Sequence, residues 1–160
     1  MIQTAGENIN ICWSPDGNHI AVGDKNDTIS IIDTTTHKII DNRKHPVEVN
    51  EIAWNNANNQ FFVTTGQGTI KVYDYPSFEL QLNLRGHTAN CYCVEADPTS
   101  KYLAVGSADA LVTLWDTRTF ECVRSFEELT WPVRTLGFSF DGQYIASASE
   151  DHFIDVVNGM

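Results

Sequence analysis

The feature that most constrains this chain is a repeat of about forty-two residues. Trp13, Trp54, Ala96 and Phe138 hold one position of the repeat, at spacings of 41, 42 and 42 residues. Ile11-Cys12-Trp13-Ser14-Pro15-Asp16-Gly17 aligns with Leu136-Gly137-Phe138-Ser139-Phe140-Asp141-Gly142, and Ile52-Ala53-Trp54-Asn55 and Val94-Glu95-Ala96-Asp97-Pro98 fall between. The register continues through Ile20-Ala21-Val22, Phe61-Phe62-Val63, Leu103-Ala104-Val105 and Ile145-Ala146-Ser147. It continues again through Thr28–Asp33, Thr69–Asp74, 111–116 and 153–158. Each run is short, rich in β-branched and aromatic residues, and bounded by Asp, Asn or Gly, which is the pattern of a strand between hairpin turns. A weaker fourth run follows the first three units, at 38–40, 79–82 and 122–126, and no helical period is present. A unit of this size cannot bury its apolar surface alone, so the units must stack. Four short antiparallel strands per repeat predict an all-β fold of propeller blades.

Composition agrees with a packed domain. Of 160 residues, 42% are hydrophobic and 11% aromatic, enough for a core. The 19% that are charged are too few for a coiled coil, and a net charge of −11 argues against a chain whose main task is gripping phosphate backbones. Apolar runs fall short of the ~18 residues that span a bilayer, and the first ten residues lack the basic start and apolar stretch of a leader. An intracellular setting follows, with Cys12, Cys91, Cys93 and Cys122 as free thiols and Asn26-Asp27-Thr28 as a chance sequon.

The period and the pair Gly86-His87 … Trp115-Asp116 resemble the WD40 family over nearly the whole chain, from about residue 8 to residue 158. The resemblance implies that Val49, Ile52 and Trp54, with Cys91, Val94, Ala96 and Val133, Leu136, Phe138, pack between blades. It also implies a hydrogen-bonded blade network built from His87, Asp109, Trp115 and the adjoining Asp116. The Ser/Thr slot of that network holds Val105, so the chain of bonds is expected to be incomplete. The second unit keeps His45 but has Gln67 and Tyr73, and the fourth keeps Ser147 and Asp151 but has Leu129 at the His slot. Packing is therefore expected to outweigh polar bonding, since a partly satisfied buried network is costly.

Catalytic and metal chemistry is weighed and set aside. His87, Asp109 and Ser107 supply triad residue types, but the repeat register makes the first two a structural pair and puts Ser107 beside a turn. Cys91 and Cys93, on one face of a regular strand, have only His87 nearby, short of a closed four-ligand zinc set. Cys91 also shares its slot with Val49 and Val133, so the reading is a small core hydrophobe. Gly66-Gln67-Gly68 is a hairpin turn rather than a phosphate loop. Glu127-Glu128, Glu150-Asp151 and Arg43-Lys44-His45 read as solvated turns and a solvated loop. No catalytic residue, cofactor, metal or small-molecule substrate is expected.

Longer stretches outside the family consensus carry a narrower resemblance: 5–17, 49–56, 106–112, Trp131-Pro132-Val133-Arg134-Thr135-Leu136 and 147–155. They resemble WD40 subunits of the transcription-export machinery. That resemblance implies a nuclear, non-enzymatic scaffold in messenger RNA processing, splicing and transport, with the other subunits of its complex and export factors as partners. RNA would be reached indirectly or weakly, and no membrane would be bound. The competing class is a generic WD40 adaptor in signalling or ubiquitin-ligase recruitment. Partner contacts are expected at Asn50, Tyr92, Trp131 and Arg134, on loops at one end of the propeller and at first-strand starts. The alternative for Trp131 is that it packs its own loop.

The expected domain is one partial propeller over 1–160, with units at roughly 8–43, 44–85, 86–128 and 129–160, the last without its outer strand. A seven-bladed ring at this period takes about 294 residues. A truncated product, fragment or short isoform follows, expected to form an open arc with two apolar faces uncovered. Closure into four blades through Met1–Thr4, or pairing of two chains, are the alternatives.

Overall fold

The computed structural model describes residues 1–159; Met160, the end of the fourth expected unit, lies outside the described residues. Four antiparallel sheets succeed one another along the chain. The first blade is β1 (Asn8–Trp13), β2 (His19–Asp24), β3 (Thr28–Asp33) and β4 (Lys38–Lys44). The second is β5 (Val49–Trp54), β6 (Gln60–Thr65), β7 (Thr69–Asp74) and β8 (Leu80–Arg85). The third is β9 (Cys91–Ala96), β10 (Tyr102–Ser107), β11 (Val112–Asp116) and β12 (Cys122–Phe126). The fourth has three strands, β13 (Thr135–Phe138), β14 (Tyr144–Ala148) and β15 (Ile154–Asn158). The arrangement is a partial propeller, with β1, β5, β9 and β13 meeting in order along the inner side.

The turns repeat as faithfully as the strands. The first hairpin of every blade places one residue in the left-handed region: Gly17 (φ 73°), Asn58 (57°), Ser100 (60°) and Gly142 (73°). A tight hairpin needs that conformation, and Gly and Asn supply it at least cost. Asp27, Gly68 and Ala110 do the same in the second hairpin of the first three blades, and His37, Phe78 and Phe120 in the third.

Blades two and three each bury one face against the blade before and the other against the blade after. Ile29 and Ile31 of β3 meet Ile52 and Trp54 of β5 in one core cluster. One blade on, Ile70 and Val72 of β7 meet Val94 and Ala96 of β9. Val112 then packs with Leu136, and Leu114 with Phe138. The first of these interfaces is the most aromatic. Trp54, Phe61, Tyr75 and Phe78 pack edge to face or tilted, with centroids 4.7 Å apart for Trp54–Phe61 and 5.4 Å for Phe61–Phe78.

Two local readings are corrected by the fold. Arg43-Lys44-His45 is no solvated loop: Arg43 and Lys44 end β4, and the Arg43 guanidinium donates to the Phe78 carbonyl and lies over its ring at 5.2 Å. His45 is only 6% exposed, edge-on to Tyr73. Cys91 and Cys93 do not share a face. A bulge in β9 sets Ser107 opposite Cys91 and Gly106 opposite Cys93, leaving Tyr92 as the extra residue. Cys91 thereby enters the core between blades two and three, and Cys93 the core between three and four. Burial pushes both thiols up to about 12.

Gly86 shows how tightly the blade edges close. A Cβ there would come within 2.6 Å of Trp115 Cζ2, and that indole is held by its own hydrogen bond. Gly86→Ala is expected to cost about 1–3 kcal/mol through overpacking. Urea denaturation checks it, and an unchanged midpoint would show that the indole can move aside.

Candidate interaction surface and the His87 network

The polar centre of the third blade is a linear relay. The Trp115 indole N–H donates to Thr113 Oγ1 at 2.8 Å, and Thr113 Oγ1 lies 2.8 Å from His87 Nε2. His87 Nδ1 lies 3.1 Å from both oxygens of Asp109, which also accepts from the Thr88 N–H at 2.9 Å. One assignment satisfies every member: the Thr113 hydroxyl donates to Nε2 of a neutral imidazole, whose Nδ1–H donates to the Asp109 carboxylate. The relay is thus complete, contrary to the expectation from Val105. Thr113, two residues before Trp115, supplies the hydroxyl from β11, whereas Val105 packs in the apolar core. Asp116 stands apart from the relay: its carboxylate accepts from the N–H groups of Arg118 (2.8 Å) and Thr119 (3.1 Å), closing the β11–β12 turn.

Electrostatics fit a structural role. Burial lowers the His87 pKa, opposed by Asp109. Burial raises Asp109, but the Thr88 N–H, His87 and the Leu111 N–H together lower it, so it stays ionised. The His87 side chain is fully buried, both its ring nitrogens are engaged, and Ser107 bonds Ala89 rather than the imidazole. These three residues form no nucleophilic array.

The other blades keep parts of the pattern. In the fourth, Asp151 accepts from the N–H and hydroxyl of Thr130, the Trp131 N–H and Ser149, which lower it to about 2. In the second, burial lowers His45 to about 4, helped by Lys71 and Arg43. The sign follows from linkage. Unfolded His45 takes a proton below about 6.5 while the folded form resists until about 4, so its stabilisation is complete above pH 6.5 and declines across that window. The melting temperature is expected to fall between pH 7 and pH 5, and less steeply in His45→Phe; parallel curves for the two proteins would refute this.

Of the four partner residues expected from sequence, Trp131 and Arg134 lie on the segment between blades three and four, and Tyr92 of β9 meets Arg134. Asn50 and Tyr92 are the bulge residues of β5 and β9. Tyr92 is half-buried, and the Arg134 guanidinium rests 4.8 Å from its ring centroid while Nη2 donates to Glu150 Oε1 at 3.0 Å. Trp131 is 55% exposed on a loop whose backbone Asp151 holds. Asn50 is differently employed. Its Nδ2 donates to the Cys91 carbonyl at 3.0 Å, and its own carbonyl accepts from Asn10 Nδ2 at 2.9 Å. It therefore stitches three inner strands together. Glu150, which positions Arg134, was read from sequence only as part of a solvated turn.

Among the described residues no cluster of His, Cys, Asp and Glu is arranged to hold a metal, and no helix is long and apolar enough to cross a membrane. The chain is a blade-built scaffold, and it belongs to the WD40 repeat family. The family model described as WD domain, G-beta repeat, matches residues 37–74, 78–116 and 120–156, each match pairing an outer strand with the next three strands. Residues 3–46 match the anaphase-promoting complex subunit 4 WD40 domain. The chain is similar to THO complex subunit 3 of Arabidopsis thaliana, 52% identical over 99% of its length. It is 39% identical over 88% of its length to WD repeat-containing protein AAC3 of Dictyostelium discoideum. It is 30% identical over 80% of its length to Cell division cycle 20.1, cofactor of APC complex, of Arabidopsis thaliana. The chain spans 50% of the first relative and 30% of each of the other two.

Proposed function

We propose that this chain serves as a WD40 scaffold in a THO-type complex in the nucleus, acting in messenger RNA processing and export through protein–protein contacts. The observation that carries this reading is the 52% identity to THO complex subunit 3 along 99% of the chain. The partners are other THO subunits and export factors. RNA is reached through them, because a chain of net charge −11 offers little counterion release to a phosphate backbone. Trp131, Tyr92 and Arg134 form the contact surface, being an exposed indole and a stacked arginine–tyrosine pair, residue types enriched in binding hot spots. Asn50 belongs to the rim of that surface, its amide engaged within the blades.

A second reading, an adaptor in a ubiquitin-ligase complex, is favoured by the match of residues 3–46 and by the likeness to an APC cofactor. Affinity capture of the tagged chain from nuclear extract, read by mass spectrometry, separates the two. Recovery of THO subunits that Trp131→Ala weakens supports the first. Recovery of anaphase-promoting subunits supports the second, and recovery of chaperones alone refutes both.

A further inference from the structure

The seam between blades two and three is open at its outer rim, where the seam between blades one and two is closed. Repeat counterparts show why. In the closed seam Tyr75 reaches back to His19. The Arg43 guanidinium there lies 5.2 Å over the Phe78 ring, donates to the Phe78 carbonyl and donates to Asp41 at 2.6 Å. One seam on, Thr117 stands at the Tyr75 position and Ala96 at the Trp54 position. Strand register puts Leu84 in the place of Arg43 and Leu82 in the place of Asp41. The lost bulk leaves a groove of about 380 Å³, lined by Gln60, Val72, Asp74, Gln81, Leu82 and Phe120. Phe120 is the counterpart of Phe78, left-handed in the same hairpin, yet it is half-buried where Phe78 is 6% exposed. Blades two and three each have a neighbour on both sides, so side chains set the shape of this groove and no uncovered blade face contributes to it.

What closes the first seam indicates what fits the second. In the first, the cover is an arginine laid on an aromatic ring. In the second, the ring of Phe120 keeps its place and the arginine is replaced by leucine. Charge agrees. Among the described residues the Asp74 carboxylate accepts from exposed Ser77 at 3.1 Å and pairs with no cation. Glu79 and Glu121 are exposed on the two segments that flank the groove. The basic residues of the neighbouring turns are engaged, Arg118 at 3.7 Å from Asp116 and Lys101 over the Tyr102 ring at 4.9 Å. We propose that the groove docks a partner peptide that lays an arginine on the Phe120 ring, paired with Asp74, and a neighbouring apolar side chain over Val72 and Leu82. The arginine gains a ring face and a carboxylate at once, as Arg43 does in the first seam. The groove lies at the opposite end of the blades from Tyr92 and Trp131, so it stands whether or not the export reading holds.

Fluorescence anisotropy tests it, with a dye-labelled peptide Gly-Leu-Arg-Leu-Gly, uncharged at both ends, titrated with the full 160-residue chain. Saturable binding is expected, and peptides with alanine or glutamate in place of the arginine should not bind. Asp74→Asn and Phe120→Leu should each weaken binding about two- to fivefold, the range of an exposed ion pair and of an exposed cation–π contact. Leu84→Arg supplies the chain's own guanidinium at the position Arg43 holds one repeat earlier, and should abolish binding with unchanged β-sheet circular dichroism. Should that variant unfold, the two milder ones decide. Trp131→Ala should bind as the wild type does; a loss there would put the peptide on the other surface and overturn the proposal. Absence of saturable binding would also overturn it, as would equal binding of the alanine or glutamate peptide, or an affinity indifferent to Asp74→Asn and Phe120→Leu.

Discussion

Phe61→Ala is expected to lower the stability of the chain by about 3–5 kcal/mol, the range for truncating a fully buried phenylalanine. Phe61 is 2% exposed near the start of β6, facing the first blade. Its ring packs at 4.7 Å from Trp54 and 5.4 Å from Phe78, and 6.4 Å from Tyr73. Removal loses transfer free energy and also the edge-to-face contact with Phe78 and the tilted contacts with Trp54 and Tyr73. Relaxation is limited on every side, because Arg43 pins Phe78 from the first blade and Tyr75 is hydrogen-bonded to His19. Domains have only about 5–15 kcal/mol in hand, so the change should abolish the cooperative transition between blades one and two or bring it near room temperature. Urea denaturation followed by tryptophan fluorescence reads it, since Trp54 reports directly on this interface. A loss below about 1 kcal/mol would mean that the interface repacks and that the aromatic cluster is not a fixed unit.

Thr113→Val is the second large effect, expected at about 2–5 kcal/mol. Valine matches threonine in shape, so no cavity forms and the loss isolates the hydroxyl. That hydroxyl is the only link between the Trp115 N–H and His87 Nε2. Both groups are buried, and each one left without a partner costs about 1–3 kcal/mol. The Asp109 side of the relay should survive, held by Thr88 as well as by His87. The double variant Thr113→Val, His87→Phe should therefore be less damaged than the sum of the single changes, because the second removes an acceptor the first has orphaned. Strict additivity in that cycle would show that the relay does not act as a unit.

The His87 relay also shows where a linear reading stops. His87, Asp109 and Trp115 stand out because a repeat register assigns them slots, and the Ser/Thr slot points to Val105. The backbone instead brings Thr113 to the imidazole, because residues two apart on β11 project to one side of the sheet and carry Thr113 and Trp115 together. The alternation was legible in the sequence; which of two strands would provide the hydroxyl was not.

What the sequence by itself determined about this protein is its periodic part. The forty-two-residue register placed the strands, the hairpin turns and the first-strand residues that pack between blades, since burial and turn chemistry are local and recur with each unit. The tertiary structure alone decided what breaks or crosses the period. A bulge, which inserts one residue into a two-residue alternation, sent Cys91 and Cys93 to opposite cores and lifted Asn50 and Tyr92 out of the ladder. Contacts between blades, joining residues about forty positions apart, turned Asn50 into a stitch, buried His45, and set Arg43 on Phe78 and Arg134 on Tyr92. Such pairs leave no mark on local pattern, because they depend on how one twisted sheet lies against the next.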